Sequence, residues 1–483
     1  MLAFSPRHRI KLLVLILLAA FAFQTTSATG TEHSVAGNWL GVLETQGLKL
    51  RILLKITQAP DGKLSAKMDS IDQAANNLPI DTITFAGGTV KFAAGALALS
   101  YEGKLSNDGS EIIGQLKQGQ GSFPLTFKRT DAPPTLGRPQ DPKKPYPYAE
   151  EEVSYENTTD KVKLAGTLTL PSSQTPAPAV ILITGSGAQD RNETVAGHRP
   201  FLVLADHLTR KGIAVLRVDD RGMGGSAVGS PGDTSENFAQ DVLAGVSFLK
   251  GRKEIDPRKI GLIGHSEGAM IAPMAAVKSK DIAFIVMMAG MGQTGADVIL
   301  LQGDVMQKAS GRDPDNIARV RKVFEQIFAI LRAEQDNTEA EKKIRGAVAA
   351  EMANMTEAQK KAFAPVLGLI NVQMPLYTSN WFRYFIDFDP APTLAKVRVP
   401  VLAIIGEKDL QVPAKENLSL IEAALKKGGN KNYSVQVMPG LNHLFQTAET
   451  GLPSEYGTIE ETISPEALRT ISDWILKQIS RRN

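Results

Sequence analysis

Cysteine is missing from all 483 residues. Its absence excludes a thiol nucleophile, disulfides, thiolate metal sites and a lipidated cysteine near the N-terminus. Stability must therefore come from packing. Histidine is scarce too, with six in the chain, so chemistry that needs an imidazole has few residues to draw on. Charge of one sign is not in excess: the net charge is +3 and no long basic run occurs, so neither nucleic acid nor an anionic membrane surface is indicated as a partner. Long apolar runs are absent beyond Leu12 to Phe23, which is too short to span a bilayer comfortably. No metal-ligand cluster or cofactor motif stands out, and no cofactor is expected.

That one apolar run follows Arg7, Arg9 and Lys11 and precedes the small residues from Thr25 to Gly30, the layout of a secretory signal peptide. A leader over residues 1–28, removed after Ala28, is expected, giving a periplasmic or secreted protein without a stable membrane span. The length, with 43% hydrophobic and 22% charged residues, suits a globular chain of more than one folded unit.

Residues 34–130 alternate apolar and polar positions in short runs, punctuated by Pro60-Asp61-Gly62, Gly87-Gly88 and Asn107-Asp108-Gly109, which are hairpin signals. About eight strands in roughly ninety residues predict a small antiparallel barrel or sandwich. A linker over 131–149 follows, with six prolines between Pro133 and Pro147. Such a stretch favours an extended boundary that few contacts cross, so a chain starting near Tyr146 is expected to retain the chemistry. From 150 to 483 strands and helices alternate, which predicts a mostly parallel sheet with helices on both faces. The pattern breaks at about 291–390, where helical spacing over 317–332 and 338–364 indicates an inserted cap.

The chemistry centres on Gly264-His265-Ser266-Glu267-Gly268. An apolar strand-like run precedes this G-x-S-x-G and a small-residue helix follows it, the context of a nucleophile elbow. A serine hydroxyl attacks only when a held base takes its proton. His8 and His33 lie at the N-terminus, His198 and His207 precede the serine near a helix, and His265 is part of the elbow. His443 remains, on a loop after the last strand. Asp409 is the candidate acid, with Glu407 competing two residues away. Backbone donors for an oxyanion are expected from Glu267, directly after the serine, and from Ser186 in the loop Thr184-Gly185-Ser186-Gly187. That loop lacks the spacing and the Lys-Ser/Thr ending of a nucleotide-phosphate loop. The cap returns to the sheet through Asn380 to Tyr384, so Trp381, Arg383 and Tyr384 are expected to line the substrate pocket, and the Asp220-Arg221 pair to pin a loop.

Over residues 150–483 these motifs, together with Asp220 to Gly224 and Pro439 to His443, resemble the α/β-hydrolase superfamily, and within it secreted bacterial esterases and serine-aminopeptidase-like hydrolases. The resemblance implies an α/β-hydrolase fold with Ser266, Asp409 and His443 as a triad. The motifs are weak on substrate, but a charged helical cap in place of a strongly apolar lid, with no room for a propeller, leads to the expectation of a small-molecule ester with a short to medium acyl group. Thr184 stands where many lipases carry a histidine. A peptidase of the prolyl-oligopeptidase or aminopeptidase type is the alternative, but a β-propeller needs at least four blades of roughly forty residues, and 34–130 is too short. An inactive binding protein on the same fold is the third reading. The oligomeric state has no signature in the sequence.

Overall fold

The computed structural model describes residues 34–480 apart from 46–47, 74, 120, 134–136 and 173–175. The leader expected over 1–28 lies outside the described residues. Among the described residues no helix is long and apolar enough to cross a membrane.

The N-terminal unit is one curled antiparallel sheet of nine strands. Its first strand, Gly37–Thr45, pairs with its last, Gly121–Arg129, in the register Trp39↔Arg129 and Gly41↔Phe127. The alternation read from the sequence is the alternation of burial: in Leu99–Leu105 every second residue up to Gly103 turns inward. Trp39, Leu54, Phe92, Ile112 and Phe127 fill the concave side. Tyr101 joins them because its hydroxyl reaches the carbonyls of Ile112 and Leu125, each at 3.0 Å, so its one polar group is paired inside the core.

The proline-rich stretch is more firmly seated than its composition suggests. Arg138 donates to the carbonyls of Ala196 and Gly197 on one loop and Gly457 and Ile459 on another, at 3.0 to 3.2 Å. Gln140 accepts from the amides of Thr462 and Ile463 and donates to the carbonyl of Ile463. Arg199 reaches back to Asp141 at 2.6 Å. These contacts revise the expectation that little crosses this boundary: a chain starting at Tyr146 lacks both Arg138 and Gln140, and leaves loop carbonyls without their donors. Hydrogen bonds from a charged donor contribute about 1.5–3 kcal/mol each at most. Arg138→Ala in the full chain should therefore lower Tm by several degrees, with Arg138→Lys intermediate because an ammonium cannot span two loops as a planar guanidinium does. A Tm unchanged by Arg138→Ala would show that the clamp adds nothing.

The second sheet has eight strands. Ala149–Asn157 and Val162–Leu170 form an antiparallel edge hairpin, and Val162–Leu170 runs antiparallel to Ala214–Val218. From there Ala177–Ile183, Ile255–His265, Ile282–Met288, Val401–Gly406 and Tyr433–Met438 continue in parallel. Ala177–Ile183, Ile282–Met288 and Val401–Gly406 are buried along their whole length, as strands covered on both faces must be. Ser235–Lys250, Glu267–Lys278 and Ala414–Lys427 pack on one face. Pro200–Arg210 and Pro465–Ser480 pack on the other.

Between Ile282–Met288 and Val401–Gly406 the chain builds the cap with its own apolar core. Its main helices are Gly295–Ala309, Pro314–Ala333, Asn337–Ala353, Glu357–Tyr377 and Asn380–Asp387. The stretch of helical spacing over 338–364 is divided between two helices. Thr356 caps a new start, its side chain bonding to the backbone of Gln359 and Gln359 bonding back, a box that satisfies amides the first helix cannot. The second helix then continues through Pro365, which is exposed, past the stretch read from the sequence, while Phe363, Ile370 and Met374 of the same helix are buried in the cap core.

Candidate active site

Strand Ile255–His265 is buried from Lys259 onward. Ser266 then adopts φ 53° and ψ −114°, and helix Glu267–Lys278 starts at the next residue. A side-chain-bearing residue holds such a φ only when its surroundings impose it. The flanking glycines are the reason they can. A Cβ on Gly264 would sit 2.0 Å from the carbonyl oxygen of Gly268, and one on Gly268 would sit 2.1 Å from that of Ile183. Without them the helix could not come down on the strand ends. The Ser266 amide donates to Met288 at 2.8 Å, which leaves its side chain at the C-terminal edge of the sheet, where ligands of parallel sheets collect.

The loops after the last two strands, Val401–Gly406 and Tyr433–Met438, meet there. His443 Nδ1 lies 2.8 Å from Asp409 Oδ2, and both residues are buried. The other carboxylate oxygen, Oδ1, accepts from the amides of Gln411 and Val412 at 2.8 Å each. With an acceptor facing Nδ1, the ring proton belongs there, and Nε2 keeps its lone pair. Glu407, the competitor for this position, instead accepts from the Gly440 amide at 2.8 Å and steadies the start of the His443 loop. Ser266 and His443 line one cavity of about 700 Å³ beneath the cap.

The loop leaving Ala177–Ile183 forms a third side. Thr184 Oγ1 donates to Asp220, whose carboxylate also accepts from the Gln189 amide. Arg221 does not touch Asp220: it is held by Asp160, Asp233 and Asp241, so each of the pair ties down a different stretch. Glu193, only 2% exposed, accepts from the Gly185 amide at 2.8 Å and faces His265 Nδ1 at 2.9 Å. His265 Nε2 in turn lies 2.9 Å from the carbonyl of His443. Burial opposes the charged form of His265, the Glu193 carboxylate and the His443 carbonyl favour it, and the net shift is upward; each ring nitrogen faces an acceptor. One buried pair thus ties the glycine loop to the backbone of His443. Glu193 escapes a reading of the sequence because its partner is 72 residues away and the nearby Asp190 and Arg191 look equally polar.

The profile of the Alpha/beta hydrolase family matches residues 180–450, more than half of the chain and the whole span from the glycine loop to His443. The chain belongs to the α/β-hydrolase family. It is 27% identical to the esterase EstD of Thermotoga maritima over 339 residues, 68% of this chain and 69% of that one. Among solved structures, an esterase of Pyrococcus furiosus is 20% identical with a TM-score of 0.43, covering 71% of this chain and 97% of its own. A proline iminopeptidase of Mycobacterium smegmatis is 16% identical with a TM-score of 0.41, covering 69% and 100%.

In this α/β hydrolase the expected backbone donors sit at the edge of the same cavity: Ser186 and Glu267 both line it. Glu267 opens its helix, so its amide has no partner within that helix. Its side chain is buried, accepting from Ser235 Oγ at 2.6 Å and Trp381 Nε1 at 2.8 Å, and burial pushes its carboxyl upward. Of the three cap residues singled out for the pocket, Trp381 lines it. Arg383 and Tyr384 face a separate hollow with Asp387 and Phe388. Arg383 donates to the carbonyls of Leu331 and Glu334, so its charge ties two cap helices together. Tyr384 packs against Phe388. The helix has eight residues, a little over two turns. Trp381, Phe382 and Phe385 line the cavity and define its inner face, and at about 100° per residue Arg383 points opposite that face and Tyr384 to its flank. Among the described residues no cluster of side chains suits a metal ion.

Proposed function

We propose that this α/β hydrolase cleaves carboxylic esters through an acyl-enzyme, with Ser266 as nucleophile, His443 as base and Asp409 as the group that holds the base. The observation that carries this reading is the Asp409 to His443 hydrogen bond of 2.8 Å, set beside the strained Ser266 turn in one cavity. In the first step Ser266 Oγ attacks the ester carbonyl carbon while its proton passes to His443 Nε2. The carbonyl oxygen becomes an oxyanion, for which the amides of Ser186 and Glu267 are the donors. Collapse breaks the bond to the alcohol oxygen, which takes the proton from His443. Water then attacks the acyl-serine by the same proton route and releases the acid.

Likeness to EstD supports an ester over other acyl derivatives. The basic and apolar N-terminus followed by small residues supports export to the periplasm or beyond. The partner is a small molecule, and the mature chain is proposed to act without cofactor.

A panel of p-nitrophenyl esters from acetate to palmitate, run beside p-nitroanilide peptides on the purified mature protein, tests this. The expected result is the highest kcat/KM on short or medium acyl esters, with stoichiometric labelling of Ser266 by a fluorophosphonate. Higher kcat/KM on the peptides would make the protein a peptidase instead.

A further inference from the structure

A second cavity, of about 650 Å³, adjoins the first. The two share a wall made of Gly185, Ser186, Glu267, Leu376 and Trp381. Ser266 and His443 line only the first. The second runs behind the glycine loop, over Ile181, Ile183 and Ile271 of the core, and out past Phe238 to Val228, which is 83% exposed. We propose that this second cavity binds the acyl arm of the substrate, and that the acyl group it takes is apolar and carries no negative charge.

The assignment rests on the serine esterase reading above and follows from where the proton must go. The departing alcohol oxygen takes its proton from His443, so the alcohol arm lies on the His443 side, in the first cavity. The carbonyl oxygen points to the amides of Ser186 and Glu267, which stand on the shared wall. The remaining substituent of the carbonyl carbon is the acyl chain. It has to leave on the side away from His443, past Trp381 and Leu376, and the second cavity is the space there. A pocket of several hundred Å³ with apolar lining suits a chain of this kind.

Charge sets the second half of the proposal. Two cations pair with carboxylates around this cavity without cancelling them: Arg191 pairs with Asp219 at 2.7 Å, and Arg221 is shared by Asp160, Asp233 and Asp241. Asp220 and Glu267 have no such cation in their hydrogen-bonding shells, which are made of hydroxyls, an amide and an indole. Burial pushes Asp220 up to about 7 and Glu267 upward as well. A site that already resists its own negative charges rejects an acyl group that brings another.

Two variants in the full chain test this, neither touching the reacting groups: Val228→Trp, which narrows the outer end, and Phe238→Ala, which widens the middle. The substrates are p-nitrophenyl acetate and octanoate for the acyl arm, and ethyl and 1-naphthyl butyrate for the alcohol arm. Val228→Trp should lower the octanoate-to-acetate ratio of kcat/KM by about tenfold, and Phe238→Ala should raise it, as expected for a change of one or two methylenes' worth of apolar contact. The 1-naphthyl-to-ethyl ratio should stay within about twofold in both. The native enzyme should also prefer p-nitrophenyl hexanoate over the p-nitrophenyl half-ester of adipic acid by at least about tenfold. Acetate turnover with an unchanged octanoate ratio in both variants, a shift in the alcohol ratio instead, or equal use of the adipate half-ester would overturn the proposal while leaving the catalytic reading intact. Absence of acetate turnover and of label at Ser266 in the native protein would overturn both.

Discussion

Ser266→Ala is expected to abolish ester turnover, by on the order of 10⁴-fold or more in kcat, while the protein stays folded. The loss is large because the turn that exposes the nucleophile is built for one residue, between the strand ending at His265 and the helix beginning at Glu267. The fold should survive because alanine keeps the same Cβ in the same φ of 53°, so the strain is neither added to nor removed. Ser266→Gly gives a physical check on this. Glycine adopts that φ without a steric penalty and should be more stable than the alanine variant by about 1 kcal/mol, yet equally inactive. Circular dichroism and thermal unfolding follow the fold, and a fluorophosphonate probe follows the nucleophile. Substantial labelling of Ser266→Ala would mean that another residue carries the acyl group.

The second large effect is expected at Asp409. Asp409→Asn should lower kcat by about 10³–10⁴-fold with little change in stability, and the reason lies in its hydrogen bonds. Oδ1 accepts from two amides, Gln411 and Val412, so the carbonyl oxygen of an asparagine must take that place. The amide nitrogen then faces His443 Nδ1, where the carboxylate oxygen had been at 2.8 Å. A donor there forces Nδ1 to accept, which moves the ring proton to Nε2, the atom that has to receive one from Ser266. The base is kept in position in the wrong tautomer. The kinetic loss should be accompanied by disappearance of the low-field proton resonance of the Nδ1–H···carboxylate bond. A kcat reduced less than about tenfold would show that Asp409 does not control the tautomer, and would return attention to Glu407.

Much of this molecule is readable from local pattern. Alternation in 34–130, continuous apolar runs after 177, and the change to helical spacing after Gly290 correspond to a curled antiparallel sheet, a parallel sheet and a helical cap, because each element type buries its residues with its own period. The glycines around Ser266 are legible for a similar reason: a turn that tight excludes a Cβ whatever surrounds it. Helix ends inside the cap are less so, since Thr356 starts a helix in the middle of an unbroken charged pattern and the helix runs on through an exposed Pro365 while Phe363 and Ile370 on either side are buried.

By itself the sequence determined the fold class, the elbow and the short roster of imidazoles, all of which depend on neighbours a few residues apart or on what the chain lacks. Tertiary structure alone decided the rest, because those groups are joined through space between distant segments. It set Asp409 rather than Glu407 against His443, since two residues along a loop point a carboxylate at different amides. It bound Glu193 to His265 and so to the His443 backbone, and it turned a proline-rich stretch into a clamp through Arg138. It kept Trp381 at the cavity while turning Arg383 and Tyr384 away, because a helix has one inner face. The second cavity is the clearest case: its walls come from the glycine loop, the core strands, the helix after Ser266 and the cap, and only their packing leaves a space there.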